Sequence, residues 1–270
     1  LIALLGIAAA LFLGYKLVKK ELDYRKGQEA LEDVYRVMDS AVYETEEYSG
    51  LDAAEEKERQ NRLRLAQYEA LNRQNPDMQG WIRIEGTKVD YPVMYTPDEP
   101  EFYINRNFDK EKSSYGMIFI DGDCRVDQST PNILIYGHHM KNGDMFAEIE
   151  KYNSREFQEA HPYVKFDTLA ETGTYQVIAA FKQPASRLDE DFKTMLLAKD
   201  EEQYEKLMNY LKIHRFYDTG AEAVWPDRLI TLTTCEYTQK DGRFFVVAKR
   251  VESRLSFFLM GKPVAHKPLF

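Results

Sequence analysis

Cysteine is scarce in this sequence, and positive charge is in deficit. The 270 residues include two cysteines, Cys124 and Cys235, and lack any C-x-x-C pair. Two cysteines are too few for a disulfide framework, and the missing Cys/His cluster argues against a zinc site. The net charge of −9 disfavours general binding of nucleic acid, because phosphates require a basic surface. We therefore expect no metal, no cofactor and no nucleic-acid partner.

The N-terminus contains the longest apolar run. Residues 1–15 carry no charge, Lys16 interrupts the run, and Leu17 and Val18 extend it to residue 18. About 20 apolar residues are needed to cross a bilayer, so this run is near the lower limit. It lacks a small-residue cleavage pattern, which favours an uncleaved membrane anchor over residues 1–18. The alternative is a buried apolar helix of a soluble protein.

A charged, helix-favouring region follows over residues 19–75. Its first part has apolar residues at the i, i+3, i+4, i+7 spacing of an amphipathic helix: Leu31, Val34, Tyr35 and Met38. Ser49-Gly50 predicts a break into two helices, and Asn75-Pro76 predicts the end of the second. We interpret residues 19–75 as a helical stalk whose second helix docks on the following domain.

From Trp81 onward the sequence is dominated by short β-rich runs. The clearest runs lie at 81–84, 89–93, 117–120, 132–136, 173–180, 229–235 and 244–249. Seven or more short strands with few helices between them predict a mainly β, closed barrel over residues 76–262, with a tail at 263–270. One long helix, Glu201 to about Arg215, is predicted before the strand that ends at Cys235.

The strand ending at Cys235 carries the first candidate for chemistry. A short connection ending in Asp241-Gly242 predicts a hairpin in which Arg243 starts the neighbouring strand, beside the thiol. A nearby guanidinium favours the thiolate and can donate hydrogen bonds to an oxyanion. Cys124 is the weaker nucleophile, because acidic neighbours raise its pKa. A buried structural role for Cys235, or a disulfide between the two cysteines, stays open.

A nucleophilic cysteine needs a general acid or base, and histidine is the usual residue. Of five histidines, His138 and His139 directly follow the apolar strand 132–136 and Gly137. Adjacent residues on an extended chain point to opposite sides, so only one of the two can face Cys235. Surface positions are predicted for the other three, His161, His214 and His266.

The ordered set Tyr136-Gly137-His138, Thr231-Leu-Thr-Thr-Cys235 and Arg243 resembles the signature of the sortase family. Segments at 75–82, 87–93 and 137–146 are similar to class B sortases. The resemblance implies an eight-stranded β-barrel with N-terminal helices and a long helix before the cysteine strand. By position it implies His138, Cys235 and Arg243 as catalytic residues. It also implies that the groove is lined by Thr233, Thr234 and Glu236.

The resemblance further implies a membrane-anchored cysteine transpeptidase. Such an enzyme cuts an Asn-Pro-x-Thr-x-like sorting motif near the C-terminus of secreted proteins, through a thioester, and transfers them to a peptidoglycan amine. A single pass through the cell membrane at residues 1–18, with the catalytic domain outside, is expected with it. The alternatives are a class B-type enzyme that uses a pilin lysine, and a catalytically silent tethered barrel that acts as a binding module.

Overall fold

A computed structural model describes residues 2–40, 52–127, 129–236 and 242–251. The helices are α1 (Ile2–Ser40), α2 (Ala53–Gln74), α3 (Arg155–Ala160), α4 (Glu190–Leu197) and α5 (Glu201–His214). The strands are β1 (Met78–Arg83), β2 (Asp90–Met94), β3 (Ile118–Ile120), β4 (Asn132–Tyr136), β5 (Tyr163–Thr168), β6 (Thr174–Gln183), β7 (Leu229–Glu236) and β8 (Gly242–Val251). Short 3-10 helices lie at Phe102–Asn105, Ala147–Asn153 and Ala185–Arg187.

The eight strands close into a barrel in the order β1-β2-β3-β4-β7-β8-β6-β5. The β2–β3 and β4–β7 pairs are parallel, and the other pairs are antiparallel. Each strand contributes a buried apolar residue to one core, for example Ile82, Val93, Ile118, Leu134, Val164, Val177, Ile230 and Val246. The predicted eight-stranded barrel with N-terminal helices is therefore confirmed.

The connection between β6 and β7 contains two helices where the sequence predicted one. Helix α5 begins after Asp200, whose side chain accepts a hydrogen bond from the Gln203 amide at 2.8 Å. Its buried residues are Tyr204, Leu207 and Leu211. Helix α4 was missed because its eight residues are too few to display a clear helical period.

The N-terminal helices pack against the barrel. On α1, Leu31, Val34 and Met38 are buried, and the Tyr35 hydroxyl donates to the Asp90 carbonyl oxygen at 2.6 Å. On α2, the Tyr68 ring stacks on Trp81 of β1, with ring centroids 5.9 Å apart. The break predicted at Ser49-Gly50 lies outside the described residues.

The prediction of a membrane anchor is wrong. Within the described parts of the chain, none of the helices is both long and apolar enough to cross a bilayer. Residues 2–18 of the predicted span belong to α1, which continues to Ser40. The first charged residue of this helix is Lys16, and only 15 uncharged residues precede it in the sequence. A single-pass membrane location, with the catalytic domain outside, is therefore not supported.

A buried carboxylate, Asp144, joins α1 to the loop that follows β4. Its oxygens accept hydrogen bonds from four groups: the hydroxyls of Tyr24 at 2.6 Å and Tyr115 at 3.0 Å, the Asn142 amide at 2.6 Å and the Lys88 ammonium at 3.0 Å. Burial alone would raise the pKa of Asp144, but the hydrogen bonds from Tyr24 and Lys88 outweigh burial and lower it. The folded state therefore favours the ionised carboxylate.

Replacing Asp144 with Asn should destabilise the fold by about 2–4 kcal/mol near neutral pH, because buried donors lose a charged acceptor. A lowered pKa means that this stabilisation is present above the ordinary aspartate pKa and is lost as the pH falls through the folded value. The difference between Asp144→Asn and the wild type should therefore shrink toward pH 3. Urea unfolding across this range measures it, with the exposed Asp98→Asn as control. Equal unfolding free energies at neutral pH would contradict the assignment.

Candidate active site

A cleft of about 790 Å3 opens at the end of the barrel where β4 and β7 terminate. One wall is formed by β4, β7 and β8. It is lined by His138, just after β4, by Thr233 and Thr234 of β7, and by Arg243 of β8. A further part of the lining comes from the β2–β3 connection and includes Phe102 and Ile104. The cleft therefore brings together segments that are far apart in the sequence.

Strand register places the backbones of the predicted catalytic residues side by side. In the parallel β4–β7 pair, Tyr136 is opposite Thr233, and the Gly137 amide donates to the Thr233 carbonyl oxygen at 3.1 Å. Continued by two residues, this register brings His138 next to Cys235. In the antiparallel β7–β8 pair, Cys235 is directly opposite Arg243. Adjacent strands lie about 4.8 Å apart, so the three side chains originate within reach of one another.

The ring of His138 is half-buried and fixed by a backbone acceptor. Its Nε2 lies 2.6 Å from the carbonyl oxygen of Ile104. A carbonyl oxygen can only accept, so Nε2 must carry the hydrogen and donate it. The other ring nitrogen, Nδ1, is therefore the one available to exchange a proton.

Gly116 makes room for this ring. It has a φ of +64°, which favours glycine, and a Cβ added there would lie 2.7 Å from His138 Cδ2 and 2.8 Å from the Ile104 oxygen. Any side chain at residue 116 would therefore press on both partners of the His138–Ile104 hydrogen bond. Gly116 is a positioning residue for the imidazole.

A charged network forms another part of the cleft wall. The Tyr136 hydroxyl donates to Asp121 at 3.1 Å, and the Lys193 ammonium of α4 lies 3.0 Å from the same carboxylate. Burial, followed by the negative charge of Asp121, raises the pKa of Tyr136. Tyr136 is therefore protonated and donates at neutral pH. This network ties α4 to β4 beside Arg243.

The two threonines before Cys235 lie in the cleft wall with little exposed surface. The Thr234 hydroxyl donates to the Gly137 carbonyl oxygen at 2.8 Å, which fastens the end of β4 to β7. Thr233 is 3% exposed, so its contact with a ligand would be limited to few atoms. The side chains of Cys235 and Glu236 lie outside the described part of the chain.

Cys124 is a buried, free thiol, so the disulfide alternative does not hold. Its Sγ accepts from the Leu134 amide at 3.3 Å. Burial, more than the neighbouring acids, raises its pKa to about 12. His139 is also otherwise engaged, since its Nε2 lies 3.5 Å from a Glu150 carboxylate oxygen. Neither residue lines the cleft.

The contacts that orient the His138 ring were not predicted from the sequence. Ile104 contacts His138 through its backbone oxygen, so the identity of its side chain does not indicate the contact. It also lies 34 residues from His138 in the sequence. Lys193 belongs to the short helix α4, which was also missed. Gly116 directly before a predicted strand was the one available signal, because an isolated glycine there suggests a close approach.

Comparison with known proteins gives consistent matches. The family model described as the sortase domain matches residues 82–251. Sortase B of Staphylococcus aureus is 30% identical over 190 residues, covering 69% of this chain and 75% of that protein. The structure of Clostridium perfringens sortase B aligns with a TM-score of 0.62 and 32% identity, over 68% of this chain and 99% of that one. A Staphylococcus aureus sortase B–substrate complex aligns with a TM-score of 0.69 and 25% identity, over 84% and 97%.

Thiol labelling should distinguish the two cysteines. A thiol whose pKa is raised to about 12 is protonated at neutral pH and unreactive, so iodoacetamide should spare Cys124. We expect intact-mass spectra of the native protein to show one adduct, absent in Cys235→Ala and retained in Cys124→Ser. Labelling of Cys124 in the folded protein would contradict its burial.

Replacing Gly116 with Ala should displace the His138 ring. Gly220 is a matched control, because its φ is +75° and an added Cβ meets no described atom within 4 Å. Both variants should lose about 1–2 kcal/mol of stability from backbone strain. Only Gly116→Ala should also shift the His138 ring resonances in NMR spectra. Unchanged resonances in this variant would show that Gly116 does not position the ring.

Proposed function

The chain belongs to the sortase family and is a cysteine transpeptidase, and from this premise we propose that it transfers proteins bearing an Asn-Pro-x-Thr-x-like C-terminal sorting motif to a peptidoglycan amine. The observation that carries the proposal is the strand register, which pairs Tyr136 with Thr233 and Cys235 with Arg243. Extended by two residues, this register sets His138 next to Cys235. Each of the three residues supplies a function that thioester chemistry requires.

In the proposed acylation step, the Cys235 thiolate attacks the threonine carbonyl carbon of the motif. A C–S bond forms, and the carbonyl oxygen becomes an oxyanion that Arg243 stabilises with its guanidinium hydrogens. The tetrahedral intermediate collapses by breaking the C–N bond. His138, as imidazolium, gives its proton to the leaving amine. The products are a thioester on Cys235 and the released C-terminal peptide.

Deacylation reverses these roles with a new amine. Neutral His138 accepts a proton from the incoming amine, whose nitrogen attacks the thioester carbonyl. Arg243 stabilises the second oxyanion, and the thiolate of Cys235 leaves as the new amide forms. The fixed Nε2–Ile104 hydrogen bond makes Nδ1 of His138 the nitrogen that carries this proton in both steps.

Recognition of the motif is assigned to the cleft. Thr233, Thr234 and Glu236 flank the nucleophile, and we propose that they line the groove on this side. The buried hydroxyl of Thr234 is already bonded to Gly137, so its contribution is to shape the wall. The related Staphylococcus aureus sortase B has been solved as a substrate complex, which supports the same class of substrate here.

The accepting amine is proposed from the class B resemblance, which favours a peptidoglycan cross-bridge over a pilin lysine. A fluorogenic Asn-Pro-x-Thr-x peptide, offered with either a glycine-terminated peptide or a lysine-containing pilin peptide, tests this choice. We expect ligation to the glycine amine to be faster than hydrolysis or ligation to lysine. Preferential ligation to the lysine ε-amine would overturn the peptidoglycan assignment, and failure to cleave the motif would overturn the substrate class.

Replacing Arg243 with Lys should lower kcat/KM by about 10²–10³, because a point charge does not reproduce the planar guanidinium fork at an oxyanion. Peptide cleavage kinetics measure the loss. Arg215→Lys is the matched control, since Arg215 pairs with Asp218 at 3.0 Å away from the cleft. Turnover by Arg243→Lys at the wild-type rate would contradict the proposed role of Arg243 in stabilising the oxyanion.

A further inference from the structure

One lysine in the lining of the cleft is held by two carboxylates. Lys193 of α4 lines the cleft, and its ammonium lies 3.0 Å from an oxygen of Asp121 and 2.7 Å from an oxygen of Asp123. Burial would lower the pKa of Lys193, but the hydrogen bonds to Asp123 and Asp121 outweigh burial and raise it. An ammonium that is paired twice is poorly placed to bind an anionic group of a substrate. Lys193 therefore serves the cleft through the elements that it connects.

The two carboxylates belong to a tight turn that directly follows β3. The Asp123 amide donates to Asp121 Oδ1 at 2.9 Å, and the Tyr136 hydroxyl of β4 donates to Asp121 Oδ2 at 3.1 Å. Asp121 is only 7% exposed. A Cβ added at Gly122 would lie 2.6 Å from Pro100 Cγ, so the turn also packs closely against the β2–β3 connection. The barrel and this connection therefore hold the two carboxylates in place.

Helix α4 has two other contacts with the barrel. The side-chain amide of Asn132 donates to the Leu196 carbonyl oxygen at 2.6 Å, and the Phe192 ring packs edge-on against Phe245, with ring centroids 5.7 Å apart. Among the residues that the structure describes, these four are not part of the cleft lining. Their contacts attach α4 to the barrel, whereas the ion pairs of Lys193 hold the helix at the edge of the cleft.

On the basis of the function proposed above, we propose that Lys193 is a positioning residue that fixes α4 as a wall of the cleft and thereby sets how tightly the sorting peptide binds. Without the ammonium, the carboxylates of Asp121 and Asp123 would repel each other and leave α4 without its bond to the turn. The wall would then move away from the peptide. The proposed catalytic residues lie on other elements and would keep their strand register, so binding should suffer more than chemistry.

Peptide cleavage kinetics test this role through the separate effects on KM and kcat. Lys193→Met keeps the length of the side chain but removes its charge, and we expect KM to rise about fivefold or more while kcat stays within about twofold of the wild type. Lys193→Arg should retain most of the wild-type KM, because a guanidinium can also pair with carboxylates. Lys206→Met is the matched control, since Lys206 of α5 pairs with Glu202 at 2.7 Å on the exposed surface.

Hydrogen exchange of the full chain, followed by mass spectrometry without any peptide, tests the attachment of α4 directly. The α4 amides of Lys193→Met should exchange about fivefold faster or more than those of the wild type, because local opening of the helix no longer breaks the ion pairs. The amides of α5 should exchange as in the wild type. In Lys193→Arg and Lys206→Met, the α4 amides should also exchange at the wild-type rate.

The two measurements separate the role of Lys193 from the proposed function. Unchanged exchange of the α4 amides in Lys193→Met would show that the ion pairs do not hold the helix and would overturn the positioning role. An unchanged KM, or a loss confined to kcat, would overturn it as well. If the wild-type chain did not cleave the sorting peptide, that result would count against the proposed function alone, because hydrogen exchange tests the attachment of α4 without a substrate.

Discussion

The parallel pairing of β4 with β7 is the constraint on which the candidate active-site cleft depends. It is one of two parallel contacts in an otherwise antiparallel barrel, and it sets His138 beside the end of β7. The hairpin between β7 and β8 then sets Arg243 opposite Cys235. A shift of one residue in either register would turn the side chains to the other face and separate the group. Backbone hydrogen bonds of the barrel therefore fix the relative positions of these three residues.

Side-chain contacts complete what strand register begins. Register brings His138 to the cleft, but the Ile104 oxygen and the space left by Gly116 set the orientation of its ring. The loop after His138 is held in turn, since the Phe146 amide donates to the His138 carbonyl oxygen at 2.9 Å. Asp144, in the same loop, is bonded to Tyr24 of α1. The N-terminal helix thus supports the cleft from outside the barrel.

The sequence predicted the elements that have a regular side-chain pattern. Strand alternation and the Asp-Gly turn predicted that Cys235 and Arg243 lie opposite each other on neighbouring strands, and the helical period predicted helix α5. Strand β5 was missed because Lys165 and Asp167 interrupt its apolar residues. The Ile104 contact could not be predicted, because a backbone oxygen acts there across a long sequence separation. The membrane anchor was predicted wrongly from an apolar run that continues into a charged helix.

In the proposed mechanism, the sulfur of Cys235 forms a covalent thioester with a sorting motif beside His138 and Arg243. Mass spectrometry of enzyme quenched in acid during turnover of an Asn-Pro-x-Thr-x peptide tests it most directly. We expect an acyl adduct that ends at the motif threonine. It should be located on the proteolytic fragment containing Cys235 and be absent in Cys235→Ala. Turnover without an adduct, or an adduct located on Cys124, would show that Cys235 is not the nucleophile.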